Sequence, residues 1–116
     1  MLLFLYGTLK RGGSNHGYMR GQRFVAEART VPRYKLYDLG GYPGMVLADT
    51  GGLSITGEIW EVDNDGLARL DELEDIEGGE YSREPVTLLP PHQDLEVQVY
   101  RYLFPVTGCR ELGATW

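Results

Sequence analysis

The chain has one cysteine and two histidines among its 116 residues. Cys109 has no second cysteine to pair with, so no internal disulfide is expected, which fits a reducing compartment and points to the cytoplasm. His16 and His92 lie far apart, and neither stands at a ligand spacing from Cys109, so no metal site is expected. Basic residues are in the minority, eleven Lys and Arg against seventeen Asp and Glu, for a formal charge of -6. A nucleic-acid binder presents a basic face, so no nucleic-acid partner is expected. No apolar run approaches the length of a membrane span. The first one is short and lacks a basic leader, so neither a membrane segment nor a signal peptide is expected. No Ser or Cys stands in a recognisable nucleophile setting, and Gly12-Gly13 does not make a phosphate loop. Repeats, linkers and low-complexity tracts are missing too, and the length suits one domain over residues 1–116. Oligomeric state leaves no mark in the sequence.

What is present starts with Leu2-Leu3-Phe4-Leu5, four apolar residues in a row. With no helix signal before it, the run predicts a short strand buried on both faces. Tyr6-Gly7-Thr8-Leu9 breaks it. Gly7 frees the backbone for a turn and for close approach by a ligand. Two readings stand. The turn is a plain strand end, or its successive N–H groups form a cradle for a carboxylate or oxyanion.

Lys10 to Gly21 reads as a loop with a short helical turn near Met19. Phe24–Thr30 and Tyr34–Tyr37 read as strands broken by Pro32, and Gly40–Gly44 as a loop. Met45–Ala48 is a short apolar strand. Ile55–Val62 alternates, with Ile55, Gly57 and Ile59 on one face and Thr56, Glu58 and Trp60 on the other. Asp63-Asn64-Asp65 supplies capping residues for a helix running to about Asp75 and closed by Gly78-Gly79. Arg83–Leu89 and Leu95–Phe104 are further strands, and Pro105–Trp116 reads as an irregular tail. Many short strands with one good helix predict an α+β fold built on a compact, partly closed antiparallel sheet.

The helix carries the most informative side chain. At the helical period Leu67, Leu70 and Leu73 form the core-facing stripe, and Glu74 falls inside it. Glu72 and Asp75 point to solvent, and Asp71 sits at the edge. A carboxylate on a buried face is costly unless paired or neutralised, and desolvation raises its pKa towards neutrality, as a proton shuttle requires. The other reading is a helix-end Glu that swings into water or pairs with Arg83. His16, His92 and Cys109 are weaker candidates, better read as surface or incidental groups. Tyr81, Tyr100 and Tyr102 are placed where a hydroxyl could face a pocket, Tyr81 most of all.

Tyr6-Gly7-Thr8-Leu9-Lys10-Arg11-Gly12 with Asn15, then Gly57-Glu58-Ile59-Trp60-Glu61-Val62, then Leu70-Asp71-Glu72-Leu73-Glu74 with Tyr81 and Arg83, occur in that order. This ordered set resembles the γ-glutamyl cyclotransferase-like family, and most closely its short branch, the γ-glutamylamine cyclotransferases. The resemblance runs from Leu3 to about Phe104 and is weakest over the tail. It implies a small, mostly antiparallel β-barrel with flanking short helices. It also implies that Tyr6, Gly7, Thr8 and Leu9 hold the glutamyl group, that Glu74 is the acid/base, and that Tyr81 is a pocket tyrosine. Substrate choice is expected to lie with the tail or with Gly40–Gly44.

The implied reaction needs no cofactor and no metal, because a γ-glutamyl amide carries its own nucleophile. Its α-amine attacks the γ-carbonyl, giving 5-oxoproline and a free amine. The small-molecule γ-glutamyl substrate could release an amino acid, a crosslink lysine, a polyamine or a biosynthetic intermediate. Two other readings remain open at this level: a non-catalytic module holding a small carboxylated metabolite, and a hydrolase in which water replaces the α-amine.

Overall fold

A computed structural model describes all of residues 1–116. The apolar run becomes β1 (Leu2–Leu5), the middle strand of a five-stranded sheet. Its neighbours are β5 (Thr56–Glu61), antiparallel, and β7 (Val97–Tyr102), parallel. Outside these lie β2 (Arg23–Arg29) against β5 and β6 (Tyr81–Val86) against β7. A second sheet holds β3 (Tyr34–Asp38) between β4 (Pro43–Leu47) and β8 (Arg110–Glu111). One α-helix, α1 (Asn64–Leu73), and one 3-10 turn, His16–Met19, complete the chain.

Because alternate residues of a strand face opposite ways, β1 feeds two cores. Phe4 packs with Ile59, Val97 and Val99 of its own sheet and with Tyr34, Leu36 and Met45 of the second. Leu3 and Leu5 face the other way, towards Leu70 of α1, Met19, Trp60 and Tyr100. The double burial expected of this strand is present: Leu3, Phe4 and Leu5 are all at 3% exposure or less. The two faces read for the Ile55–Val62 strand also hold, with Ile59 in one core and Trp60 in the other.

The barrel expectation is corrected. Neither sheet closes on itself, and the architecture is an α+β stack of two open sheets with α1 over one face. The edge strands β2 and β6 meet only beyond their ends, at a bridge between Thr30 and Leu88 flanked by Leu89 N–H to Arg29 O, 2.8 Å, and Val31 N–H to Thr87 O, 3.1 Å. A barrel needs a continuous ladder round its circumference. Here β6 carries Pro85, which has no N–H to give and suits an edge position.

The tail is also more ordered than expected. β8 pairs with β3, Tyr37 opposite Glu111 and Asp38 opposite Arg110. Leu112 N–H to Leu36 O and Thr56 N–H to Ala114 O, each 2.8 Å, extend the attachment. A two-residue strand is too short to show a period, so only its partner reveals it.

Asp63 caps α1, its carboxylate accepting from Gly66 N–H at 2.7 Å. The helix stops earlier than Gly78-Gly79 suggested. Glu74 is the C-terminal cap, and Asp75 takes a left-handed φ of 52°. Asp tolerates that conformation better than most side chains, and its carboxylate accepts from Gly78 N–H at 3.2 Å. No helix is long and apolar enough to cross a membrane.

Candidate active site

Three segments meet around a cleft of about 320 Å³: the turn after β1, the loop before β4, and the stretch from the end of α1 into β6. Tyr6, Gly7, Thr8, Leu9, Glu74 and Tyr81, all expected from the sequence, line it together.

The turn after β1 is fixed from within. Lys10 N–H donates to Gly7 O at 3.2 Å, Asn15 N–H to Thr8 O at 2.9 Å, and Asn15 Nδ2 to Thr8 Oγ1 at 3.0 Å. His16 props the outer side, its Nδ1 lying 2.9 Å from Leu9 O and its ring edge-on to Trp60. Among the turn and loop hydrogen bonds none is donated by the amides of Gly7, Thr8 or Leu9. These N–H groups remain available to an anionic group in the cleft. Gly7 is required sterically: a Cβ there would stand 2.7 Å from Pro43 Cγ.

Tyr6 and Tyr81 are buried, and their hydroxyls are already engaged. Tyr6 Oη donates to Tyr100 O at 2.7 Å and accepts from Met45 N–H at 3.2 Å. Tyr81 Oη donates to Pro43 O at 3.1 Å. Burial, reinforced by nearby negative charge, pushes both phenols far above the usual tyrosine range. They therefore stay neutral and tie the cleft walls to β4.

Glu74 sits half-buried against this wall. Burial first, and the negative charge of Glu80 second, raise its carboxyl from the ordinary value to about 7. Glu74 enters no ion pair. Arg83, the partner the sequence offered it, instead takes Asp71, with Nε to Oδ1 at 3.0 Å and Nη2 to Oδ2 at 3.2 Å. Arg83 also donates to Gln98 Oε1 at 2.6 Å. Asp71, read as an edge residue, thus sits at the centre of a side-chain network, with Tyr100 Oη donating to it at 2.7 Å. A group poised near pH 7, within reach of solvent and lining the same cleft as unengaged amides, can exchange protons with a bound molecule.

Sequence reasoning missed Glu80 and Ser14 as lining residues, whereas Tyr100, named as a tyrosine whose hydroxyl could face a pocket, and Asn15 of the first motif do line the cleft. The Gly40–Gly44 segment was marked for substrate choice, and its Gly41, Tyr42 and Pro43 do reach the cleft. Nothing in the pattern around Glu80 flags it, since a Glu after two glycines reads as surface. His92 and Cys109 lie outside the cleft, and no three His, Cys, Asp or Glu side chains gather as a metal site would require.

The chain belongs to the γ-glutamyl cyclotransferase, AIG2-like family, whose sequence profile matches residues 3–116, tail included. The γ-glutamylcyclotransferase family protein YtfP of Escherichia coli is 34% identical over 110 residues, covering 95% of this chain and 89% of that one. The γ-L-glutamyl-butirosin B γ-glutamyl cyclotransferase of Niallia circulans is 39% identical over 77 residues, covering 66% of this chain and 47% of that protein. The crystal structure of an AIG2-like protein from Mus musculus superposes with a TM-score of 0.82 at 29% identity, covering 99% of this chain and 86% of that one. These relatives support γ-glutamyl cyclotransferase activity as a class.

Proposed function

We propose that the protein is a cofactor-free γ-glutamyl cyclotransferase of the γ-glutamylamine type, working as a single domain over residues 1–116 in the cytoplasm. The observation that carries this reading is Glu74, raised to about 7 and unpaired, in one cleft with the Gly7–Leu9 amides.

Substrate binding places the α-carboxylate or the γ-carbonyl oxygen against the amides of Gly7, Thr8 and Leu9. Thr8 Oγ1 accepts from Asn15, which leaves its own hydroxyl proton free to donate. Folding the glutamyl chain brings the α-nitrogen to the γ-carbon, so attack is intramolecular and gains several kcal/mol of effective concentration. The new C–N bond closes a five-membered lactam, and the carbonyl oxygen becomes an oxyanion held by backbone N–H groups. The bond from the γ-carbon to the departing nitrogen then breaks. Two protons leave the α-ammonium and two arrive on the departing nitrogen, so charge and atoms balance. Glu74 carries them from one nitrogen to the other, a task suited to a group whose pKa matches the working pH.

The test is incubation with a panel of γ-glutamyl compounds, following 5-oxoproline. Release of 5-oxoproline with the free amine supports the proposal. Free glutamate would indicate water as nucleophile. Binding with no product would make the domain a metabolite-holding module and overturn the enzymatic reading.

A further inference from the structure

The only buried charged residue is Glu58, 7% exposed, and it does not line the cleft. It belongs to the stretch Gly57-Glu58-Ile59-Trp60, to which the proposed reaction gives no task. A buried carboxylate is costly unless its oxygens are met. Here Oε1 accepts from Arg11 N–H and from Trp60 Nε1, each at 3.0 Å, and Oε2 accepts from Arg11 Nε at 3.0 Å. Burial pushes the carboxyl up, but these donors outweigh it and hold it below the ordinary value. Across the ladder Glu27 stands directly opposite Glu58, a like-charge pair unfavourable by itself. The Arg11 guanidinium bridges the two, with Nη2 3.3 Å from Glu27 Oε1, and lies 3.8 Å from the centre of the Phe24 ring.

These contacts bracket the turn after β1. Just before the turn, Leu5 pairs opposite Glu58 in the register of β1 and β5. Just after it stands Arg11, whose amide the Glu58 side chain holds. Tyr6 to Lys10 therefore run between two attachments to a single residue. A second route reaches the same turn. The Trp60 indole, fixed by Glu58, meets the His16 ring edge-on at 5.3 Å, and His16 Nδ1 lies 2.9 Å from Leu9 O.

We propose that Glu58 is the positioning residue of the glutamyl cradle, setting where the Gly7, Thr8 and Leu9 amides stand relative to Glu74. Backbone donors act over a narrow range of distance and angle, so a turn released at Arg11 grips the glutamyl group less well. This rests on the cyclotransferase reading and adds to it a residue that touches no substrate.

The experiment compares the native protein with Glu58→Gln and Glu58→Ala, each assayed below its own unfolding temperature. Two quantities are read: KM for the γ-glutamyl compound turned over fastest, and Kd for 5-oxoproline by calorimetry. Gln keeps Oε1 as an acceptor and loses the charge, whereas Ala loses every contact. Both quantities are expected to rise together, about fivefold in Glu58→Gln and about thirtyfold in Glu58→Ala, short of the roughly hundredfold that a misplacement of about 1 Å can cost. The pH limb near 7 is expected to stay in place, since burial and Glu80 are what raise Glu74. Lower kcat with unchanged KM and Kd would mean only that less protein is folded, and would overturn the proposal. A displaced pH limb would place the effect on Glu74 and overturn it too. Should Glu58→Ala not fold, Glu58→Gln decides alone, and native values of KM and Kd there sink this inference without touching the cyclotransferase reading. If the native protein neither binds 5-oxoproline nor releases it from any γ-glutamyl compound, both fall together.

Discussion

The hydroxyl of Tyr100 donates a 2.7 Å hydrogen bond to Asp71 Oδ1, three residues before Glu74. Asp71 is gripped again by Arg83 from β6, so the end of α1 is tied to two strands. The carbonyl of Tyr100 in turn accepts from Tyr6 Oη at 2.7 Å. A continuous set of polar contacts therefore joins the helix end that carries Glu74 to the strand end that precedes Gly7.

Breaking that tie is expected to loosen Glu74 without removing it. Tyr100→Phe deletes one hydrogen bond to a charged group, and Asp71→Asn weakens three, two from Arg83 and one from Tyr100; each is expected to cost about 1–3 kcal/mol in urea unfolding. Both should lower kcat more than they change KM. In the double variant the losses should be less than additive, because the residues share one interaction. Strict additivity would show that the pair does not act as a unit.

Glu74→Gln keeps the shape of the side chain and removes the proton carrier. Release of 5-oxoproline is expected to fall on the order of 10²- to 10⁴-fold, the usual contribution of general acid–base catalysis. In the native protein the rate should rise with pH through about 7, as Glu74 ionises. Replacing Glu80 by Gln should move that limb to lower pH, since the Glu80 charge is one cause of the raised value. A limb at the ordinary carboxylate pKa would count against Glu74.

The same raised pKa makes stability depend on pH. Between the ordinary Glu range and about 7 the unfolded chain loses the Glu74 proton while the folded protein keeps it. The folded state binds more protons there, so Glu74 lowers stability as pH rises through that window, with the full penalty present above it. At about 1.4 kcal/mol per pKa unit, Glu74→Gln should stabilise the protein by about 3 kcal/mol near pH 8 and hardly at all near pH 4. Paired thermal unfolding at the two pH values measures this, and a pH-independent gain would contradict it.

Gly7→Ala places a methyl 2.7 Å from Pro43 Cγ and 3.0 Å from Cδ. A proline ring cannot rotate aside, so the turn or the start of β4 must move. The expected cost is about 1–3 kcal/mol, in line with other overpacked sites. KM should rise as the glutamyl cradle shifts. Unchanged stability and KM would mean that the close approach is dispensable.

The sequence alone determined whatever depends on a residue's place within its own element. Alternation put Phe4 opposite Leu3 and Leu5, and Ile59 opposite Trp60. Helical period put Glu74 on the face that turns inward. Both follow from the fixed geometry of strand and helix, which a local pattern encodes. Only the tertiary structure decided whether the sheet closes and what converges on the cleft. Closure depends on how far β2 and β6 diverge along their edges, and that is a matter of twist and register summed over many residues. Glu80, Tyr42 and Tyr100 come from three separate segments, and Arg83 chose Asp71 over Glu74 by a geometry that no spacing records. Side chains distant in the chain meet only after every strand has found its partner, so their chemistry becomes visible last.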